Sequence, residues 1–127
     1  MDYLDHLSQF AAALEFSNLP DPVREQAGWV LADTVAAIVG GSAEPELRAL
    51  ADTIGTPGPA MLPGLGRSTG IDAAALINGT AGTFLEMDEG NRFSRGHPAV
   101  HVIPAALALA QQRSADAPTF MAALVVG

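Results

Sequence analysis

The strongest constraint on this chain is its punctuation. Thirteen glycines and nine prolines divide 127 residues into short stretches, and in most of them apolar residues recur every three or four positions. That spacing marks one face of an α-helix. Apolar residues make up 49% of the chain but aromatics only 6%, and much of the remainder is alanine. Small side chains suit close helix–helix contact and give a sheet little to pack with. The expectation is an all-α helical bundle in a single domain.

Six helices can be placed. Asp2 caps a first helix to about Leu14, with Leu4, Leu7, Phe10, Ala11 and Leu14 on one side. Asn18-Leu19-Pro20 breaks it. Asp21-Pro22 opens a second helix to about Val39, with Val23, Ala27, Val30, Leu31, Thr34, Val35 and Ile38 inward. Gly40-Gly41 is expected to end it as a left-handed cap. A third helix starts at Ser42 or Ala43, with Pro45 in its first turn and Leu47, Leu50, Ala51 and Ile54 inward. Residues 55–70 read as an irregular Pro/Gly connection with a short extended piece at Ala60 to Leu62. A fourth helix spans Ile71 to Leu85, where Gly79 and Gly82 would let another backbone come close. A fifth follows from Pro98 to Gln112, and Pro104 predicts a kink or a later start near Ile103. Asp116 and Pro118 open a sixth through Phe120, Leu124 and Val125. That helix runs only a few residues to an apolar end, so the chain is expected to be a piece of a longer protein.

Charge and composition exclude several functions. The formal net charge of -8 disfavours nucleic acid and anionic lipid as partners. All six cations are arginines, so no lysine is present for Schiff-base or P-loop chemistry. With no cysteine there is no disulfide, thiol nucleophile or thiolate metal site. Asp2 and Asp5 precede any base, unlike a signal peptide. The apolar run from Ala99 to Ala110 is too short to span a bilayer and is broken by His101 and Pro104. A soluble, cytoplasmic protein without a membrane partner is expected. The Gly64–Gly70 stretch lacks the spacing and the strand–helix setting of a dinucleotide fingerprint.

The chemistry is concentrated in Glu86-Met87-Asp88-Glu89-Gly90-Asn91-Arg92-Phe93-Ser94-Arg95-Gly96-His97-Pro98, a polar loop held between two apolar helices. Histidine ordinarily titrates near neutrality, so His97 is the first candidate for proton transfer. Asp88 and Glu89 can orient the imidazole or abstract a proton themselves. Arg92 and Arg95 can clamp carboxylates with paired hydrogen bonds. A merely solvated mixed-charge loop is the plain alternative. A metal held by His97 and His101, four residues apart, is a weaker reading because no His-Glu-x-x-His pattern is present.

Five segments, in order, resemble the MmgE/PrpD family, which includes 2-methylcitrate dehydratase. Leu19-Pro20, Ala32-Asp33-Thr34 and Val39-Gly40-Gly41 are similar to its opening. Ala73 to Ala81 resembles its Ala-Ala-x-x-Asn-Gly-Thr helix. Glu86-Met87-Asp88-Glu89 followed by His97-Pro98 resembles its acidic loop and His-Pro pair. Ile103 to Ala108 and Phe120 to Gly127 resemble two later helices. The resemblance implies the N-terminal part of a large helical domain, residues 1–127, joined in relatives to a smaller α/β domain. It implies a homodimer and a cofactor-independent site at which small polycarboxylates undergo dehydration, decarboxylation or epimerisation. Carried over by position, Glu86 falls on the family's first acid, Asp88 on the next, Glu89 on the third and His97 on its active-site histidine; Asp88, Glu89 and His97 are expected to be catalytic and Glu86, Arg92 and Arg95 to bind substrate, the two arginines being departures from the family's loop. Gly90 and Asn91 depart from the family's usual Thr and His. The fragment alone is expected to be inactive. The competing expectation is a non-enzymatic module that dimerises through its Ala-rich helices.

Overall fold

The computed structural model describes residues 2–127. Six helices account for the architecture: α1 (Tyr3–Ala13), α2 (Asp21–Gly41), α3 (Pro45–Ile54), α4 (Ile71–Phe84), α5 (Pro98–Arg113) and α6 (Ala117–Val126). The described chain is 70% helical, with one two-stranded antiparallel hairpin, β1 (Ala60–Leu62) and β2 (Arg67–Thr69). The all-α expectation holds. The extended piece at Ala60 was foreseen; its partner strand was not, because Arg-Ser-Thr carries no strand pattern of its own.

Local chemistry sets most of the helix ends. Asp2 and Asp5 form a reciprocal capping box at α1. Pro22, Pro45 and Pro118 lie in the first turns of α2, α3 and α6, where a missing N–H removes no intrahelical bond. The N-cap of α2 is Pro20; Asp21 lies inside the helix and pairs with Arg24. Glu44 occupies the N-cap position of α3 without a side-chain cap bond, and the helix begins at Pro45 rather than at Ser42 or Ala43. The helix α5 runs unbroken from Pro98 through a buried Pro104, so no later start near Ile103 occurs.

The glycines at the end of α2 do a different job from the one expected. Neither has positive φ; the only glycine that does is Gly66, among the described residues. Gly41 is the last residue of α2, and a Cβ there would overlap the backbone carbonyl of Ala81 in α4. Similarly, a Cβ at Gly82 would come within 2.7 Å of Val100 in α5 and 3.3 Å of Ile38 in α2. Gly79 faces open space. These glycines let α4 lie close between α2 and α5, which are its main neighbours.

The core follows from that contact. Ile38, Leu47 and Ala81 form one buried cluster, and Ala51, Ala60, Leu62, Ala74, Ile77 and Ala108 form another. Burying Ile38, Leu47, Leu62 and Ile77 stabilises the fold by about 2 kcal/mol each. The helix α1 stands outside this core. Its apolar residues Leu4, Leu7 and Phe10 are exposed rather than packed inward.

Candidate active site

The loop between α4 and α5 begins where α4 stops. Leu85 is the C-cap of α4, and Glu86 follows with φ 54°, the left-handed conformation that suits glycine. Farther on, Asn91 and Gly96 form an antiparallel bridge, with the Asn91 amide donating to the Gly96 carbonyl at 2.9 Å. The Asn91 side-chain oxygen accepts from the amides of Phe93 (2.9 Å) and Ser94 (3.0 Å), an Asx turn that closes the tip. Arg92, Phe93 and Arg95 project from this tip; Phe93 is 84% exposed and Arg92 lies 4.9 Å from the centre of its ring. Arg95 has φ 53°.

Three of the expected residues meet. The Nδ1 of His97 lies 2.7 Å from the Glu89 backbone oxygen and 3.1 Å from Oδ2 of Asp88. A carbonyl oxygen only accepts, so Nδ1 carries a hydrogen. That leaves Nε2 as the nitrogen with a free lone pair in the neutral ring. The Asp88 side chain is only 7% exposed, while the imidazole is 51% exposed. A covered carboxylate thus lies against Nδ1 of a half-exposed imidazole.

Glu89 has a second task. Its Oε1 accepts from the Ala99 amide at 2.9 Å, capping α5 from ten residues upstream. His97 occupies the N-cap position, but its side chain makes no cap bond. One residue therefore fixes the helix start with its carboxylate and the imidazole with its carbonyl. The other oxygen, Oε2, is buried without a hydrogen-bond partner.

Glu86, Arg92 and Arg95 are exposed and form no ion pair among the described residues. The two guanidinium groups are thus free to meet an anion. A cleft of about 530 Å³ opens beside the loop, between α2, α5 and α6. Glu89, Gly90, Asn91 and Ala99 contribute to it, together with Trp29 and Asp33 of α2. His97, Asp88 and the arginines are not on its walls. Trp29 was not singled out from the sequence, and Asp33 only within Ala32-Asp33-Thr34 with no site role, although the chain's single tryptophan four residues before that acid was a signal on α2.

Asp88, Glu89 and His97 also bring potential ligand atoms within 4.8 Å of one another. His101 is not in this group, so the His97–His101 metal pairing is not formed among the described residues. The Nδ1–carbonyl bond commits one ring nitrogen to a proton, and the arrangement reads as a histidine–carboxylate pair.

The protein is thus a helical domain that carries a histidine–carboxylate pair in the polar loop between α4 and α5. The chain belongs to the MmgE/PrpD family: the model of the MmgE/PrpD N-terminal domain matches residues 5–127. This relates it to dehydratase-type enzymes. No curated protein and no solved structure matches it. No helix among the described residues is long and apolar enough to cross a membrane.

Proposed function

We propose that this chain supplies part of the active site of a cofactor-independent lyase or isomerase, similar to 2-methylcitrate dehydratase, that moves a proton at the carbon alpha to a carboxylate of a small polycarboxylate. Residues 1–127 belong, in this reading, to the N-terminal helical part of such an enzyme. The observation that carries it is the orientation of His97, with Nδ1–H held by the Glu89 carbonyl and the covered Asp88 carboxylate beside it.

The chemistry follows from that orientation. Neutral Nε2 takes the proton as the substrate C–H bond breaks, and the electron pair spreads into the adjacent carboxylate. The ring becomes an imidazolium, which the Asp88 charge stabilises without itself taking the proton. Arg92 and Arg95 hold the substrate carboxylates and offset the charge that builds up on the carbanion. In a dehydration that electron pair then forms a double bond to the neighbouring carbon as its C–O bond breaks, and the departing oxygen takes the proton back from the His97 imidazolium and leaves as water. Glu89 acts through its carbonyl and its cap, so its part is positioning. Glu86, at the start of the loop, faces solvent and completes the polar rim.

The test is His97→Asn in the longest natural form of the protein, with dehydration of 2-methylcitrate and α-proton exchange into heavy water as readouts. Loss of a general base lowers turnover by about 100-fold or more. Unchanged exchange in a folded variant removes His97 from the reaction.

A further inference from the structure

The cleft between α2, α5 and α6 takes no part in the proton transfer proposed for His97, because His97, Asp88 and the arginines are not on its walls. Its charge has one sign. Asp33 and Glu89 line it, and no arginine or histidine does. Asp33 forms no ion pair among the described residues. Glu89 binds the Ala99 amide through Oε1, but its Oε2 is buried without a hydrogen-bond partner. A carboxylate oxygen so placed favours a positive charge nearby, since little water screens it.

The second feature is an aromatic face. Trp29 and Asp33 are four residues apart on α2, so their side chains share one side of the helix. Trp29 is 66% exposed and lines the same cleft. The guanidinium–aromatic contacts among the described residues use Phe16 and Phe93, and none stacks on the indole. Of the side-chain rings, tryptophan attracts a cation to its face most strongly. Val30, Val102 and Leu124 add apolar wall to the cleft.

We propose that this cleft binds a small organic cation, a protonated amine or guanidine carried on an apolar body. The charged end meets the Trp29 face and the Asp33 carboxylate, and the apolar body lies against Val30, Val102 and Leu124. The cleft measures about 530 Å³, within the roughly 300–1,000 Å³ of small-molecule sites. A bare metal ion fits less well. No further Asp, Glu, His or Cys joins Asp33 and Glu89 on the walls, and the cluster that brings ligand atoms together is Asp88, Glu89 and His97, without Asp33. An anion would meet two carboxylates and no cation. The ligand and its readouts differ from those of the His97 reaction, so either reading can fail while the other stands.

Trp29 is the only tryptophan of the chain, so its fluorescence reports on this cleft. Probes of similar body and different charge are 2-phenylethylammonium, neutral 2-phenylethanol and anionic 3-phenylpropionate. The ammonium should give a saturable change with the unaltered chain, and the alcohol should bind about tenfold more weakly. The anion should give no saturable change. Asp33→Asn should weaken ammonium binding about fivefold and leave the alcohol unaffected. Trp29→Leu, followed by calorimetry because the optical signal is gone, should weaken it about tenfold. Both side chains are exposed, so the circular dichroism should stay the same. Absence of a saturable change up to about 10 millimolar ammonium overturns the proposal. So does an alcohol that binds as tightly as the ammonium, and so does binding that Asp33→Asn leaves untouched. The comparison of probes uses the unaltered chain, so no folding defect of a variant enters it.

Discussion

Two connections flank α4, and they are built on opposite plans. Residues 55–70, before it, are tied together at their two ends and braced by side chains of α4 and α5. The Thr69 hydroxyl both accepts from the Thr56 amide and donates to the Thr56 carbonyl, each at 2.8 Å. Asn78 of α4 donates to the Met61 carbonyl at 2.9 Å, and Gln111 of α5 accepts from the Met61 amide at 2.8 Å. A Cβ at Gly58 would run into the backbone of Gly70, so the two ends of this connection touch. Residues 85–97, after α4, satisfy their polar groups mostly within the loop itself and leave Arg92, Phe93 and Arg95 in solvent. The first connection holds helices together. The second spends its order on orienting one imidazole and keeps its cations unpaired. Charges left without internal partners on a braced loop are available to a ligand.

The contrast can be broken most decisively at Asn78. It is buried, and Asn78→Ala removes the bond to Met61 while opening a cavity. The expected loss is about 3 kcal/mol in urea unfolding; a loss under about 1 kcal/mol means the hairpin is held by something else. The loop should behave in the opposite way. Arg95→Ala should change stability by less than about 0.5 kcal/mol yet raise KM for polycarboxylates about tenfold, equivalent to about 1.4 kcal/mol of binding. An unchanged KM takes Arg95 out of the clamp.

Glu86→Gly sharpens the contrast from the strain side. Glu86 is left-handed where glycine is preferred, so the variant should gain about 0.5–1 kcal/mol. Such a residue is retained at a structural cost when it serves a site, and KM should rise alongside the gain in stability. The smallest effect is expected outside both connections, at Asp116. Hydrogen bonding from Thr119, side chain first and then backbone, holds its carboxyl below the ordinary aspartate value. The folded value lies below the unfolded one, so the contribution is present above the unfolded pKa and is lost as pH falls through the folded one. Asp116→Ala should lower the melting temperature slightly at pH 7, and the difference should vanish as the solution is acidified below the usual aspartate range. A pH-independent difference would mean that the carboxylate charge plays no part in the cap.

Much of the fold could be read from short-range chemistry. The capping box at Asp2, the prolines in first turns and the three-and-four spacing identified six helices to within a few residues. The polar loop stood out because no apolar residue in it recurs at helical spacing, and His97 with Asp88 stood out by residue type. What could not be read were the roles of small residues and amides. The Gly40-Gly41 pair looked like a helix stop, because a stop and a close approach leave the same mark in sequence. The stripe on α1 looked like a core face, because periodicity shows that a face is apolar and not what covers it.

By itself, then, the amino-acid order determined where helices start and stop and which loop carries charge, since caps, turns and periodicity act between residues up to four or five apart. Tertiary structure decided the rest: that Gly41 touches Ala81, that Asn78 and Gln111 brace Met61, and that Glu89 caps α5 while its carbonyl selects the imidazole nitrogen that stays free. These contacts join residues eight to fifty apart in the chain. Their partners are chosen by how the helices pack, a property of all the side chains together, and no local pattern specifies it.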